Sequence, residues 1–332
     1  MRHADIKTIG IPAGLLSYRY GTLWKTFFEK LGFEVVSGSP TNRTVLDAGE
    51  AASVDEACLA SKVYMGHVAG LADAADAVFV PSFESIDVRR GFCTKFQSLP
   101  DLVRNTFRNA GIDVVSIDIK DVTDRRKTRS AYLDLAERLG ASPRHARKAY
   151  RQAVAAQAKR DACASERASE TLSLMRRYRE IAASDPSGSE EVPLLILMVA
   201  HPYIAHDRFI SGDIIDALEE AGCVIVFADE FDRDRSLSLS FEFSETLPWI
   251  INRELAGASL ALEDTVDGIV AVSAFPCGPD SMFNDALMRR IHGAPILNLI
   301  IDAQAGSAGM QTRIESFVDI IRFKGEGAYL DA

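Results

Sequence analysis

The hydrophobic pattern of the chain alternates between short apolar runs and longer amphipathic stretches. The first apolar run, residues 6–11, predicts a strand, and residues 20–31 then repeat apolar positions every three or four residues, which predicts a helix. Further strands are predicted at 33–36, 77–81, 112–117, 194–200, 224–227, 267–273 and 295–301, with helices at 54–71, 99–110 and 213–221. Strands that alternate with helices are typical of parallel sheets built from βαβ units.

Two such α/β halves flank a middle segment of different composition. Residues 128–182 are rich in Ala and Arg and almost free of Gly, which predicts a pair of helices, and residues 183–191 have the composition of a linker. We therefore predict an α/β fold with two Rossmann-like parallel-sheet lobes, a cleft between them and a helical insertion. The first lobe covers residues 1–123, the basic helical insertion and linker 124–190, and the second lobe 191–332.

Composition favours a soluble globular protein. The chain has 332 residues, of which 47% are hydrophobic and 25% are charged. No apolar run reaches the roughly 18 residues that a membrane span needs, and the first residues lack the pattern of a secretory signal. We expect no membrane association and a cytoplasmic location.

Charge is distributed unevenly. The net charge is −10, yet residues 124–180 carry 15 Lys and Arg against 7 Asp and Glu, a local net of +8. The remainder is strongly acidic, which argues against nucleic-acid binding. The basic segment is either a solvated helical surface or a docking face for an acidic partner or phosphorylated ligand, and the second hypothesis places Arg176, Arg177 and Arg179 on that face.

Three of the five cysteines lie where an α/β protein carries its chemistry. Cys58 lies near the start of a predicted helix, and Cys93 and Cys277 lie in loops after predicted strands. Thiolates suit iron–sulfur clusters or zinc, although the wide spacing excludes a compact zinc knuckle. The alternative is three separate reduced cysteines. Cys163 and Cys223 are interpreted as structural.

Several polar residues near these positions are candidates for catalysis. Lys62 follows Cys58 by four residues, so both side chains are expected on one helix face, and His67 lies further along the same helix. A lysine paired with Glu56 or Asp55 at the surface is the alternative.

Two further candidates lie in the second lobe. His201 ends a predicted strand and is placed for a ligand or a proton donor, with capping of the loop backbone as the alternative. Asp280 is predicted to cap the helix after Cys277, while His206 and Asp207 are interpreted as caps of the helix that follows them.

The motifs that carry these residues resemble those of a known superfamily. They lie at residues 9–36 (IGIPAGLLSYRYGTLWKTFFEKLGFEVV), 54–67 (VDEACLASKVYMGH), 91–101 (GFCTKFQSLPD), 201–210 (HPYIAHDRFI), 247–255 (LPWIINREL), 266–281 (VDGIVAVSAFPCGPDS) and 308–319 (AGMQTRIESFVD). In this order and spacing they resemble the 2-hydroxyacyl-CoA dehydratase subunit superfamily. More narrowly, they resemble the uncharacterised domain that accompanies activases of CoA-substrate-specific enzymes. The insertion contributes nothing to the resemblance.

The resemblance implies a cofactor and a partner. It implies a [4Fe-4S] cluster held by Cys58, Cys93 and Cys277, with one iron free of cysteine. It also implies an ATP-dependent activase or other electron donor that supplies a low-potential electron, and reductive or dehydration chemistry on a small substrate, which includes CoA thioesters. In that case the chain is a dehydratase-like lyase or a reductase component.

The chain departs from the superfamily pattern at three places. Ala60 and Thr94 stand where the superfamily usually has proline, and the acidic stretch after the final strand is replaced by Asp302-Ala303-Gln304-Ala305. Loss of a carboxylate and an imidazole there puts proton chemistry in that loop in doubt, while the thiolates are retained.

Two other functions stay open at this point. One is a non-catalytic electron-transfer or scaffold partner of an activase, and the other is a two-lobed metal- or ligand-binding module. No dinucleotide-binding, P-loop or serine-hydrolase motif occurs in the sequence. A homodimer is compatible with every one of these functions.

Overall fold

The computed structural model describes residues 6–84, 91–184, 192–303 and 307–325, with side chains in the last range from 309 to 323. Packing divides the chain into two compact units, Met1–Asp161 with Thr246–Ile251, and Ala162–Glu245 with Asn252–Ala332. The boundaries predicted from composition, after residues 123 and 190, stay a prediction. Most of the predicted linker, residues 185–191, lies outside the described residues.

The first unit is built on a parallel sheet. Its strands are β1 (Thr8–Ile11), β2 (Glu34–Ser37), β3 (Ala77–Phe79), β4 (Ser82–Phe83), β5 (Val114–Val115) and β6 (Asp118–Ile119). Four of them form a sheet in the order β2-β1-β3-β5, and β4 pairs with β6, all in parallel. The α/β fold with parallel sheets is thus confirmed for this unit.

Helices connect these strands. They are α1 (Ser17–Leu31), α2 (Arg43–Ala51), α3 (Leu59–Gly70), α4 (Thr94–Thr106), α5 (Arg125–Arg138) and α6 (Pro143–Ser184). The predicted pair of helices in the basic segment is confirmed as α5 and α6. The residues of α6 from Ala162 onward belong to the second unit.

The second unit repeats the parallel arrangement. Its strands are β7 (Leu194–Val199), β8 (Cys223–Phe227), β9 (Gly268–Ala274) and β10 (Ile296–Ile301), in the order β10-β9-β7-β8. Its helices are α7 (Pro202–Ala205), α8 (Arg208–Glu220), α9 (Arg233–Phe243), α10 (Ile250–Leu262), α11 (Gly278–Arg290) and α12 (Ser307–Gly325), of which α10 begins in the first unit. The register Leu197↔Ile269 pairs two fully buried positions, as expected for strands covered on both faces.

Aromatic packing forms the core of the first unit. Trp24 meets Phe79 edge to face at 5.3 Å, and Phe28 meets Phe79 in the same way at 4.9 Å. The indole Nε1 of Trp24 donates a hydrogen bond of 3.0 Å to the Tyr132 hydroxyl, so the polar end of the ring is satisfied inside the core. This bond joins α5 to α1.

The core of the second unit holds a buried arginine. Arg253 donates from its two terminal nitrogens to the backbone carbonyls of Ser244 and Glu245, at 3.1 and 3.0 Å, and its guanidinium lies 4.7 Å above the Phe241 ring. These carbonyls follow the end of α9, where helix carbonyls have no partner within the helix. Arg253 therefore holds the chain after α9 against α10.

Three helices begin five residues away from their predicted starts. The start of α3 is Leu59 instead of residue 54, because Ala57 donates to the Val54 carbonyl and closes a turn first. The start of α4 is Thr94 instead of residue 99, although Pro100 lies inside it. The start of α8 is Arg208 instead of residue 213, because the Asp207 carboxylate accepts a hydrogen bond from the Phe209 amide and caps the helix as predicted.

A helix that crosses a bilayer needs about 20 predominantly apolar residues. Within the described residues, none of them is long and apolar enough to cross a membrane.

Candidate functional site

Each of the three candidate cysteines occupies the same backbone position, the residue that precedes a helix. Cys58 precedes α3, Cys93 precedes α4 and Cys277 precedes α11, and the backbone is extended at Cys58 and Cys277. The N-terminal end of a helix carries partial positive charge from its unpaired amides. A thiolate is favoured at such an end, so all three positions suit cysteine as an anionic ligand.

Cys58 is surrounded by polar groups of the first unit. Its sulfur lies 3.2 Å from the Ser61 hydroxyl, one turn into α3. The Lys95 ammonium, from the first turn of α4, donates to the same sulfur at 3.9 Å. The contact between α3 and α4 at this point therefore supplies one hydroxyl and one positive charge to Cys58.

Lys62, the predicted neighbour of Cys58, has a different partner. Its ammonium lies 3.9 Å from the Glu50 carboxylate of α2, and its side chain is 15% exposed. The alternative partners predicted for it, Glu56 and Asp55, are not the ones observed. Its catalytic role stays a prediction, and the structure shows it in an ion pair.

His67 lies far from Cys58 along α3. The two residues are separated by nine positions, or about 13 Å of helix, and His67 is in the last turn. Its ring is buried, and Nε2 lies 2.9 Å from the Thr41 hydroxyl. The structure therefore does not bring His67 together with Cys58, and its role stays a prediction.

Cys277 and His201 are linked through one carboxylate of the second unit. Asp280 lies three residues after Cys277 and accepts a hydrogen bond from the Cys277 side chain. The same carboxylate lies 3.1 Å from His201 Nε2 and accepts from the Asn252 amide at 3.0 Å. His201 Nδ1 is hydrogen-bonded to the Tyr203 hydroxyl. The predicted cap of α11 is therefore wrong, because Cys277 occupies that position and Asp280 points into the unit instead.

Electrostatics keep this buried carboxylate ionised. Burial on its own would raise the pKa of Asp280, but the charge of His201 and hydrogen bonds from His201, Asn252 and Cys277 together hold the pKa below its ordinary value. Asp280 is 4% exposed and His201 is 6% exposed. Asn252 and Tyr203 are buried as well, whereas Cys277 is partly exposed.

The two remaining cysteines have different surroundings. Cys163 is exposed on α6, and Cys223 opens β8, where burial raises the pKa of its thiol to about 11. All five cysteines are reduced. The interpretation of Cys163 and Cys223 as structural stays a prediction.

The three cysteines that the resemblance implies as cluster ligands are divided between the two units. Cys58 and Cys93 belong to the first unit and Cys277 to the second. Within the described residues, no three His, Cys, Asp or Glu side chains are gathered as a metal site. The donors themselves fit an iron–sulfur cluster, because they are three reduced, partly exposed thiols, each at the positive end of a helix.

The loop after β10, where the chain departs from the superfamily pattern, is described only in part. Asp302 accepts a hydrogen bond of 2.6 Å from the Ala303 amide, while Gln304 and Ala305 lie outside the described residues.

In the basic segment, Arg179 donates hydrogen bonds of 2.6 Å to the Asp267 carboxylate and of 2.7 Å to the Thr265 carbonyl. Arg179 is therefore paired within its own unit while its side chain stays partly exposed, and its place on a docking face stays a prediction.

Lys95, Asn252 and Tyr203 are site residues that the sequence analysis did not identify. Lys95 follows Cys93 by two residues, and this short spacing was the only local signal. Tyr203 follows His201 by two residues, whereas Asn252 reaches the network from α10 and gave no signal.

The fold and these residues define an α/β protein with two parallel-sheet units and a cysteine at the start of a helix in each. The sequence profile of the CoA enzyme activase uncharacterised domain matches residues 8–231, about two thirds of the chain. The chain belongs to this family. The matched range contains Cys58 and Cys93 and runs through the basic segment, whereas Cys277 lies beyond it.

Comparisons with solved structures and with curated proteins give no further information about function. Among solved structures, the chain is similar to the C-terminal domain of glucosamine-fructose-6-phosphate aminotransferase from Francisella tularensis. The identity is 12%, the TM-score is 0.24, and the similarity covers 97% of this chain and 86% of that one. No curated protein matches the chain significantly.

Proposed function

We propose that this protein is the iron–sulfur partner of a CoA enzyme activase, and that Cys58, Cys93 and Cys277 hold a [4Fe-4S] cluster. In this role it accepts a low-potential electron from an ATP-dependent activase and uses it for reduction or dehydration of a small, CoA-linked substrate. The observation that carries the proposal is that all three cysteines precede helices, where a thiolate is favoured.

Membership of the family of CoA enzyme activase domains supports an activase as the partner of this protein. The matched domain is described as one of CoA enzyme activases, so an activase is the natural electron donor. The chain itself has no P-loop motif. We therefore assign ATP hydrolysis to the activase and electron acceptance to this chain.

A bound cluster would supply one-electron chemistry at low potential. The residues of this chain would hold and orient its ligands. The Asp280 carboxylate is fixed by His201 and Asn252, and it accepts a hydrogen bond from the Cys277 thiol. Cys277 would give up this bond when its thiol loses the proton to bind iron. On the first unit, Lys95 places a positive charge beside the Cys58 sulfur, which offsets the negative charge that a reduced cluster accumulates.

The decisive experiment measures iron and acid-labile sulfide after purification without oxygen. We expect about four irons and four sulfides per chain, and loss of both in the variant Cys58→Ala, Cys93→Ala, Cys277→Ala. The matched control replaces the other two cysteines, Cys163→Ala and Cys223→Ala, and is expected to retain the iron. Wild-type protein without iron, or a control variant that loses as much iron as the triple variant, would overturn the proposal.

A second function, electron transfer without catalysis, is favoured by the surroundings of His201. Both of its ring nitrogens are engaged by protein groups, Nδ1 by Tyr203 and Nε2 by Asn252 and Asp280. An imidazole held in this way is poorly placed to deliver a proton to a substrate. A pure electron carrier would show the same EPR spectrum of the reduced protein with and without 2-hydroxyacyl-CoA thioesters, whereas a catalytic protein would show a change.

A further inference from the structure

We propose that the first unit contains a binding site for a small carboxylic acid with an unbranched aliphatic chain, in the cavity between α2, α3 and α4. The cavity has a volume of about 830 Å³. Ligand sites for small molecules have volumes of about 300–1,000 Å³. The proposed site goes beyond the cluster and does not depend on it.

One face of α3 and one face of α4 form two walls of the cavity. Ser61, Met65 and Ala69 follow one another at intervals of four on α3. On α4 the lining residues are spaced by three, four and four positions, namely Lys95, Ser98, Leu102 and Thr106. The lined stretch of α4 is therefore about 16 Å long, enough for a short aliphatic chain.

The wall formed by α2 is fixed against α3 by glycine. A Cβ atom on Gly49 would lie 1.8 Å from the Lys62 carbonyl oxygen, and one on Gly66 would lie 1.9 Å from the Val45 carbonyl oxygen. Only glycine permits backbones to approach so closely. The cavity consequently has a rigid wall, to which α2 contributes alanines such as Ala48.

The walls formed by α3 and α4 are more polar at their N-terminal ends than in their middle. At the N-terminal ends the lining side chains are Ser61, Lys95 and Ser98, and in the middle they are Met65 and Leu102, before Thr106 at the far end of α4. The two N-terminal ends meet, because the Lys95 ammonium reaches the sulfur of the residue before α3. An anionic head group at that end and an apolar chain toward the other end match this gradient.

A serine and a lysine of the lining differ in their access to a ligand. Ser53, two residues after α2, lines the cavity, but its hydroxyl oxygen is inaccessible to solvent and has no hydrogen-bond partner in the described part of the chain. A ligand in the cavity does not reach that oxygen, so the head group would be held by Lys95. Lys95 contacts the Cys58 sulfur at 3.9 Å and forms no ion pair within the described residues, so its charge can pair with a ligand carboxylate in the protein without a cluster.

Among the described residues that line the cavity, Glu56 is the one acidic side chain. It is exposed, and it lies in the loop that leads into α3. Its charge would favour an amine over an acid, so the sign of the ligand charge is the first property to test. A carboxylate requires Lys95 and does not require Glu56.

Titration calorimetry with sodium hexanoate and with neutral hexanamide tests the site. We expect one hexanoate per chain, with hexanamide bound at least about tenfold more weakly, because it lacks the charge that pairs with Lys95. Lys95→Met should weaken hexanoate binding by about tenfold or more, and the matched surface variant Lys25→Met should bind as wild type does. Glu56→Gln should bind hexanoate at least as tightly as wild type.

A second variant tests the apolar part of the cavity. Ala48→Leu with Ala69→Leu fills the space between α2 and α3 and should abolish hexanoate binding, whereas Ala155→Leu on the exposed face of α6 should not. Circular dichroism and thermal unfolding establish that each variant is folded. Failure of wild type to bind hexanoate, equal binding of the amide, or weaker binding in Glu56→Gln would overturn the proposal.

The outcome is separable from that of the cluster. The triple cysteine variant retains every lining residue of the cavity, so it should still bind hexanoate. Loss of binding in that variant, when it is folded, would show that the ligand site depends on the cysteines and would also overturn the proposal.

Discussion

Cys58 and Cys277 occupy equivalent backbone positions in surroundings of opposite charge. Cys58 has the ammonium of a partly exposed lysine at 3.9 Å and the hydroxyl of a buried serine at 3.2 Å. Cys277 donates to a buried carboxylate that is fixed by an imidazole and an amide. Both cysteines thus precede a helix, but the charged groups around the cysteine differ between the two units.

The difference lies in what each environment contributes to stability. A buried carboxylate must be fully paired, because an unpaired charge inside a protein is strongly unfavourable. A partly exposed lysine remains solvated whether or not it has a partner. We therefore expect substitutions near Cys277 to affect folding and substitutions near Cys58 to affect binding.

The largest expected effect is that of Asp280→Ala. This change leaves His201 and Asn252 without their shared acceptor inside the unit, and we expect the free energy of unfolding to fall by about 3–5 kcal/mol. Urea unfolding followed by circular dichroism measures it. The matched control is Asp216→Ala, which removes a surface carboxylate paired with Arg208 at 2.8 Å and should cost less than about 1 kcal/mol. Equal losses in the two variants would contradict the comparison.

The same carboxylate predicts a dependence of stability on acid. The pKa of Asp280 is lower in the folded protein than in the unfolded chain, so the unfolded chain takes up the proton first as the pH falls. The stabilisation is complete above the ordinary aspartate pKa of about 3.9 and is lost as the pH falls through the lower folded value. The melting temperature of Asp280→Asn should therefore decrease less steeply than that of wild type between about pH 5 and pH 3.

Carboxyl groups of the first unit also make stability depend on pH, in wild type and in Asp280→Asn alike. The pKa values of Asp76, Asp121 and Asp124 are also lowered, chiefly by hydrogen bonds from neighbouring backbone or hydroxyl groups. Only the difference between wild type and Asp280→Asn reports on Asp280. Identical slopes in the two proteins would show that its charge does not stabilise the fold.

The sequence predicts well those features that depend on neighbouring residues. The parallel α/β pattern, the helix pair of the basic segment and the cap at Asp207 all follow from spacing within a few positions. Cys58 was also placed correctly near a helix start.

Contacts between residues that are far apart in the sequence could not be predicted from local spacing. Lys95 is 37 positions from Cys58, and Asn252 is 28 positions from Asp280. Helical spacing placed Lys62 beside Cys58, but the close approach of α2 at Gly49 brings Glu50 to Lys62 instead. Periodicity identifies the face of a helix and does not identify which other helix packs against it.

Two buried tyrosines extend the comparison with smaller effects of opposite sign. The Tyr64 hydroxyl in the first unit has no hydrogen-bond partner in the described part of the chain, whereas the Tyr203 hydroxyl in the second is bonded to His201. We expect Tyr64→Phe to raise the free energy of unfolding by up to about 1 kcal/mol and Tyr203→Phe to lower it by about 1 kcal/mol. Thermal unfolding of the two variants in parallel measures both, and a loss of stability in Tyr64→Phe would show that its hydroxyl has a partner.

The smallest expected effect concerns the ion pair between Lys62 and Glu50. Its atoms are 3.9 Å apart and both side chains are partly exposed, at 15% and 28%. A double-mutant cycle with Lys62→Met and Glu50→Gln should therefore give a coupling free energy below about 1 kcal/mol. The matched cycle with His201→Phe and Asp280→Asn should give a larger value, because those atoms are 3.1 Å apart and almost fully buried. Equal couplings would mean that burial does not set the strength of these pairs, and the contrast between the surroundings of Cys58 and Cys277 would then have to rest on the sign of the charge alone.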